Sequence, residues 1–351
     1  MSLQLFVFSV FSVAKLLFRG SFPFPVRLKM AKWGAMPLTA QFDRDGFKRR
    51  VQALANEGVF LGTSSWKYPG WCGTIYDEAR YAYRGKFAKS RFERLCLTEY
   101  AQVFKTVSVD AAYYKFPDQR WIGSLVSQVP PDFRFGLKVT DEITVRRFPN
   151  IPRLGERAGK LNSNFLNADL FASAFLHPCA PFRSNIGILM FEFTHFRAQD
   201  FAQGRDFAEA LDQFLGRLPR EWQYGVEIRN RNFLHPDYFA VLARHGVAHI
   251  YSSWELMPPL AEQLAMPVSR TAPGLIAARL LLKPGRRYED AVKMFSPYDR
   301  LQEPNEEGRE AAAELVRQTR RRERKTEAFI FVNNRFEGNA IATIGEILDL
   351  V

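Results

Sequence analysis

The chain has 351 residues, 47% of them hydrophobic and 14% aromatic, which is material for one large α/β domain or two ordinary ones. Its net charge of +12 admits an acidic partner (nucleic acid, an anionic membrane surface or a phosphorylated small molecule) or else reflects solvated helix faces. Three cysteines without a CxxC and five histidines without an HExxH argue against a disulfide framework and a zinc ribbon, and make the reducing cytoplasm the expected compartment.

Residues 1–42 read as an N-terminal extension, Phe- and Pro-rich and without a clear period. The apolar run Leu3 to Val13 is too short to span a bilayer, and its cations, Lys15 and Arg19, follow it rather than precede it. An upstream start ahead of Met30 or Met36 is the leading account, and a weak signal peptide the alternative. From residue 43 onward the pattern changes. Asp43 to Gly58 is expected to be a helix, with Phe47, Val51 and Leu54 on one face. Val59 to Leu61 forms a strand that stops at Gly62 and opens into an aromatic loop, Trp66 to Tyr76. Phe87 to Tyr100 is a second helix, its stripe drawn through Phe92, Leu95, Cys96 and Tyr100.

The alternation then repeats. Strands are expected at Phe104 to Val109, Phe133 to Val139, Ile186 to Phe193, Tyr224 to Arg229, Val247 to Tyr251, Ala277 to Leu282 and Ala328 to Val332. Helical patterns separate them at Trp121 to Val129, within Ile151 to Leu176, and at Phe201 to Leu218, Tyr238 to Gly246, Leu256 to Leu264 and Glu306 to Arg322, and Ile341 to Val351 closes the chain. His249, inside an apolar run, reads as a satisfied core residue rather than a ligand. Eight βα units over residues 43–351 predict an α/β fold, a single (β/α)8 TIM-type barrel. The competitor is an open doubly wound sheet, but no GxGxxG follows the first strand to support a dinucleotide fold.

Four motifs recur in this order: GTSSWKYPGW at Gly62 to Trp71, DAAYYKFP at Asp110 to Pro117, VEIRNRNF at Val226 to Phe233, and FVNNRFEGNA at Phe331 to Ala340. Together they resemble the YecE-like barrel family, domain of unknown function 72, from about Val59 to the C-terminus. The resemblance implies a TIM-type barrel and no settled activity. Ser108, Asp110 and Glu192 stand where the family usually has Glu, Asn and Gln, and Leu281-Leu282 replaces a His-Gly pair. These departures imply that this branch has altered chemistry.

Strand ends carry the chemical reading, because barrel enzymes keep their sites at the carboxyl face. Alternation puts Val226 and Ile228 toward the helices, and Gly225, Glu227 and Arg229 toward the axis. An inward Glu and Arg must be paired, hydrated or used. By the same reading Lys138 ends strand three, Arg279 and Lys283 share a face of strand seven, Asp110 closes strand two and Glu192 closes strand four. Asn333 and Asn334 follow strand eight. Ser65 and Trp66 sit on the first loop, and Tyr68, Trp71, Tyr113, Tyr114 and Trp254 could wall the rim, although rings at such positions more often pack.

Two chemistries fit this rim. Glu192, Glu227 and Asp110 are candidate acid/base groups, with a glycosidase requiring a defined carboxylate separation. Alternatively the cations hold an anion, and Lys283, Arg286 and Arg287 in KPGRR lie where many barrels bind phosphate. A carboxylate-bound Mg²⁺ is conceivable, but no spacing argues for it, and the sequence leaves the cofactor unknown. The densest basic run, Arg317 to Lys325, reads as a solvated helix end. The expectation is therefore an enzyme acting on an anionic or sugar-like ligand, and the alternative is a basic nucleic-acid-binding module without catalysis. An enclosed pocket would favour the first, and a continuous cationic stripe the second.

Overall fold

Eight parallel strands close on one another: β1 (Val59–Thr63), β2 (Thr106–Val109), β3 (Arg134–Lys138), β4 (Ile186–Phe193), β5 (Tyr224–Ile228), β6 (Ala248–Ser253), β7 (Leu275–Leu280) and β8 (Glu327–Val332). Each pairs with its neighbours in sequence, and β8 pairs with β1 in register from Val59–Ala328 to Thr63–Val332. This is the expected (β/α)8 barrel, seen in a computed structural model that describes residues 42–321 and 326–351. The expected extension lies outside the described residues except for Phe42, whose ring meets Phe47 at 5.4 Å.

The outer ring contains α1 (Arg44–Asn56), α2 (Lys89–Val103), α3 (Gln119–Val126), α4 (Gly204–Gly216), α5 (Pro236–His245), α6 (Leu260–Ala265), α7 (Tyr288–Phe295), α8 (Glu306–Arg320) and α9 (Ala340–Asp349). Asp43 caps α1 by accepting from the Gly46 amide at 2.8 Å, and Phe47, Val51 and Leu54 are buried as their spacing predicts. Several details differ from expectation: β7 lies two residues earlier than Ala277 to Leu282, α6 starts at Leu260 rather than Leu256, and α7 has no counterpart among the expected helices. Leu95 on α2 is 40% exposed, because Phe92, Cys96 and Tyr100 already fill the contact face. Between β3 and β4 the helix starts only at Ala168 and widens to a π-turn over Phe171–Leu176. Two left-handed glycines, Gly155 and Gly159, keep the preceding stretch irregular.

The barrel interior is a plug. Phe60, Ile188, Met190, Ala248, Ile250, Ala277, Phe329 and Phe331 form a separate buried cluster inside the strands. Phe331 fills the space that Gly136 leaves, since a Cβ on Gly136 would stand 2.5 Å from the ring. This apolar floor matters for the site. Residues two further along the same strand faces rise above it at the carboxyl end.

Two cations of the basic run at the end of α8, Arg317 and Arg320, are paired. Arg317 pairs with Glu310 and Glu314 and donates to the Leu350 carbonyl, and Arg320 bonds Glu57 at 2.6 Å. The remainder, 322–325, lies outside the described residues. Changing Arg320 and Arg321 to Gln is expected to shift stability by no more than about 1 kcal/mol in urea denaturation, because exposed pairs contribute little. Nucleic-acid binding with a steep salt slope that these changes flatten would instead make the run an interface.

Candidate active site at the barrel mouth

Glu192 on β4 and Glu227 on β5 are register partners on one inward face. Like charges side by side repel, so the pair requires a cation. Arg279 of β7 supplies it: its Nη1 donates to Glu192 Oε2 at 2.6 Å and to Glu227 Oε2 at 2.5 Å. Two more cations complete the group. Lys138 Nζ lies 2.9 Å from Glu192 Oε2, and Arg229 Nη2 reaches that same oxygen at 2.9 Å and Glu227 Oε1 at 3.1 Å. Arg229 Nε and Ser252 Oγ also donate to Glu227 Oε1, at 3.2 and 3.0 Å.

All five charged groups are shielded from water, with Glu227 fully buried and Arg279 at 3% side-chain exposure. Asp110, just past β2, differs. Its Oδ1 is 3.6 Å from Arg279 Nη2, and 40% of its side chain is exposed. Three cations thus face three carboxylates. Tyr113 lies beneath Lys138 at 4.0 Å, and Trp254 stacks on the Arg229 guanidinium at 3.6 Å.

The electrostatics follow from this packing. Burial alone would raise the Glu192 pKa, but Arg229, Lys138 and Arg279 more than offset it and hold the carboxyl far below the usual carboxylate range. Burial, followed by the nearby Glu192 charge, pushes the Tyr113 hydroxyl well up. Beside the ion group, Ser108 Oγ, Asp110 Oδ1 and Arg279 Nε are buried and have no hydrogen-bond partner among the described residues, as are Ser64 Oγ and Trp66 Nε1 at the end of β1.

Six expected site residues therefore meet: Asp110, Lys138, Glu192, Glu227, Arg229 and Arg279. Others have different work. Lys283 pairs with Glu303 at 3.2 Å, away from the group. The Asn333 side chain caps the turn after β8 by accepting from the Arg335 amide, and Asn334 Oδ1 accepts from Trp71 Nε1 and the Ala340 amide. Ser65 offers its carbonyl to the Thr63 hydroxyl, Trp66 is buried, and Tyr114 is exposed against the edge of Tyr113. Trp71, Tyr76, Tyr81 and Phe92 pack together beneath the aromatic loop. Sequence reasoning missed Ser252, although the alternation Ala248, Ile250, Ser252 points it inward. It also missed Arg335, which directly follows the two amides. Among the described residues, no group of three His, Cys, Asp or Glu is disposed to hold a metal, and no helix is long and apolar enough to cross a membrane.

Comparison with known proteins places the fold. The profile of the family described as protein of unknown function DUF72 matches residues 60–351. A crystal structure of a DUF72 family protein (EF0366) from Enterococcus faecalis V583 is 18% identical, with a TM-score of 0.54 over 83% of this chain and 94% of that one. One from Thermotoga maritima MSB8 (TM1631) is 21% identical, with a TM-score of 0.51 over 83% and 97%. At such identities the likeness concerns the fold. No curated protein matches the chain. With the family profile covering the barrel from β1 to the C-terminus, this chain belongs to the DUF72 family.

Proposed function

We propose that this DUF72 protein is an enzyme that binds a small anionic or sugar-like ligand at the carboxyl face of its barrel and acts on it by acid/base chemistry. The observation that carries the reading is the set of six charged side chains, gathered from five strand ends above an apolar floor. Within it the roles divide by accessibility. Glu192 Oε2 and both Glu227 oxygens are occupied by cations, and the Arg279 guanidinium bridges the two carboxylates, so they do not flank a scissile glycosidic bond. We assign them to positioning Lys138, Arg229 and Arg279. Asp110, half-open to solvent and held to the ion group only by its 3.6 Å pairing with Arg279, is the group suited to exchange a proton with a ligand. Free thiols at Cys72, Cys96 and Cys179 fit a reducing cytoplasmic setting.

Asp110→Asn tests the assignment. In a turnover screen over sugars and phosphorylated sugars, the variant is expected to keep its fold and lose about a hundredfold or more of kcat/KM. Undiminished turnover would remove Asp110 from the chemistry. The nucleic-acid alternative predicts strong, salt-dependent binding of oligonucleotides with no turnover of any small molecule.

A further inference from the structure

Most of the cations expected at the rim answer a carboxylate. Lys138, Arg229 and Arg279 face Glu192 and Glu227, Lys283 and Arg286 face Glu303, and Arg287 faces Asp290. Arg335 does not. It stands in the helical turn Asn334–Glu337 that follows β8, and among the described residues no carboxylate comes within 4.0 Å of its guanidinium. Its Cζ lies 4.6 Å from the centre of the Tyr288 ring, and its charge opposes the burial that raises the Tyr298 hydroxyl. Its buried Nε has no hydrogen-bond partner among the described residues. Tyr68 meets Tyr298 edge-on at 5.7 Å, closing a ring of three tyrosines around the guanidinium. Arg335, Tyr68, Tyr288 and Asp110 are each half-buried, so solvent reaches all four.

A half-buried guanidinium without a counter-ion is costly unless something anionic answers it. The six-membered ion group next to it is already neutral, three charges against three, so the surplus positive charge of the mouth is that of Arg335. We propose that Arg335, ringed by Tyr68, Tyr288 and Tyr298, is an anion seat that takes a phosphate group, free or carried on a sugar, and sets it beside Asp110. The planar fork of Arg matches phosphate oxygens two at a time, and phenol hydroxyls are further donors. Burial pushes the Tyr68 hydroxyl up to about 12, so it keeps its proton to donate. Asp110 is answered by Arg279, which limits its repulsion of the bound anion. The seat rests on the mouth being the ligand site, and it narrows the substrate class to phosphorylated compounds.

Calorimetric titration of the full chain with inorganic phosphate and with ribose 5-phosphate tests it. Wild-type protein is expected to bind both, the sugar phosphate more tightly. Arg335→Met should weaken both by about tenfold or more, and Arg335→Lys by less, since the charge remains while the fork is lost. If Arg335→Met does not fold, equal affinity of Arg335→Lys and wild type overturns the seat. Equal affinity of Arg335→Met and wild type overturns it as well, as does no binding of either probe at millimolar concentration. The mouth reading is judged separately. Binding that survives Arg335→Met but is lost in Lys138→Met keeps the ligand at the mouth in another seat, whereas binding that survives both places it elsewhere and ends that reading too.

Discussion

Glu227→Gln is expected to destabilise this protein by about 3–5 kcal/mol, measured as a lowered midpoint in urea or guanidinium unfolding at pH 7. The substitution keeps the shape and removes one charge. Glu227 is fully buried and receives Arg279 Nη1, Arg229 Nε, Arg229 Nη2 and Ser252 Oγ. Without its charge, Lys138, Arg229 and Arg279 face only Glu192 and the half-exposed Asp110. Arginine does not shed its proton in proteins, so the surplus charge stays buried. The new amide also turns an N–H₂ toward donors that already need acceptors.

A second substitution separates charge balance from local packing. Arg229→Met in the Glu227→Gln background restores neutrality, so the double variant should be more stable than the sum of the single changes by about 1–3 kcal/mol. A Glu227→Gln protein as stable as wild type would show that Glu227 does not hold the cations. It would return Glu227 to the role of a proton-transfer group, since active-site groups are often retained at the expense of stability.

How far the sequence reveals this site depends on which dimension a residue's role lives in. The strands were legible because barrel strands are buried on both faces and read as unbroken apolar runs, as in Ile186 to Phe193, whose bounds the structure repeats. The inward placement of Glu192, Glu227 and Arg279 was legible from alternation alone. Their bonding was not. That one Arg279 nitrogen bridges two glutamates depends on the register of β4 against β5 and on the reach of a side chain across the mouth from β7. Lys283 illustrates the converse. It ends near the mouth by pattern, but Glu303, twenty residues on, captures it. Asn333 and Asn334 drew attention as polar rim groups, yet they cap backbone amides, a use the sequence does not separate from ligand binding. Arg335 was passed over for the same reason. In a helical turn no period-2 argument applies, and its ring of tyrosines comes from residues 68, 288 and 298.

The acid limb of the stability curve should be set by His249 before any site carboxylate acts. His249 is 2% exposed on the outward face of β6, with Phe239 and Tyr251 rings at 5.3 and 5.1 Å. Its Nδ1 is 3.1 Å from the Tyr238 hydroxyl, and its Nε2 is buried with no hydrogen-bond partner among the described residues. Burial lowers its pKa from the ordinary 6.5 to about 3, so it is neutral in the fold. Between those values the unfolded chain binds a proton that the folded chain refuses. Stability is therefore full above pH 6.5 and falls as pH drops toward 3, by up to ~1.4 kcal/mol per unit. Glu192 has the opposite charge type and a later window. Its folded pKa is depressed, so its contribution is complete above the ordinary carboxylate value of 4.5 and is lost only below it. Between pH 6.5 and 4.5 the slope thus belongs to His249 rather than to the ion group. Urea unfolding at pH 7 and pH 5 should show a wild-type loss of ~2 kcal/mol. His249→Phe, which keeps a ring in an aromatic pocket and removes the titrating nitrogen, should abolish most of that difference. Equal pH slopes for the two proteins would mean that His249 is hydrated or charged in the native state, and that the acid sensitivity comes from another group.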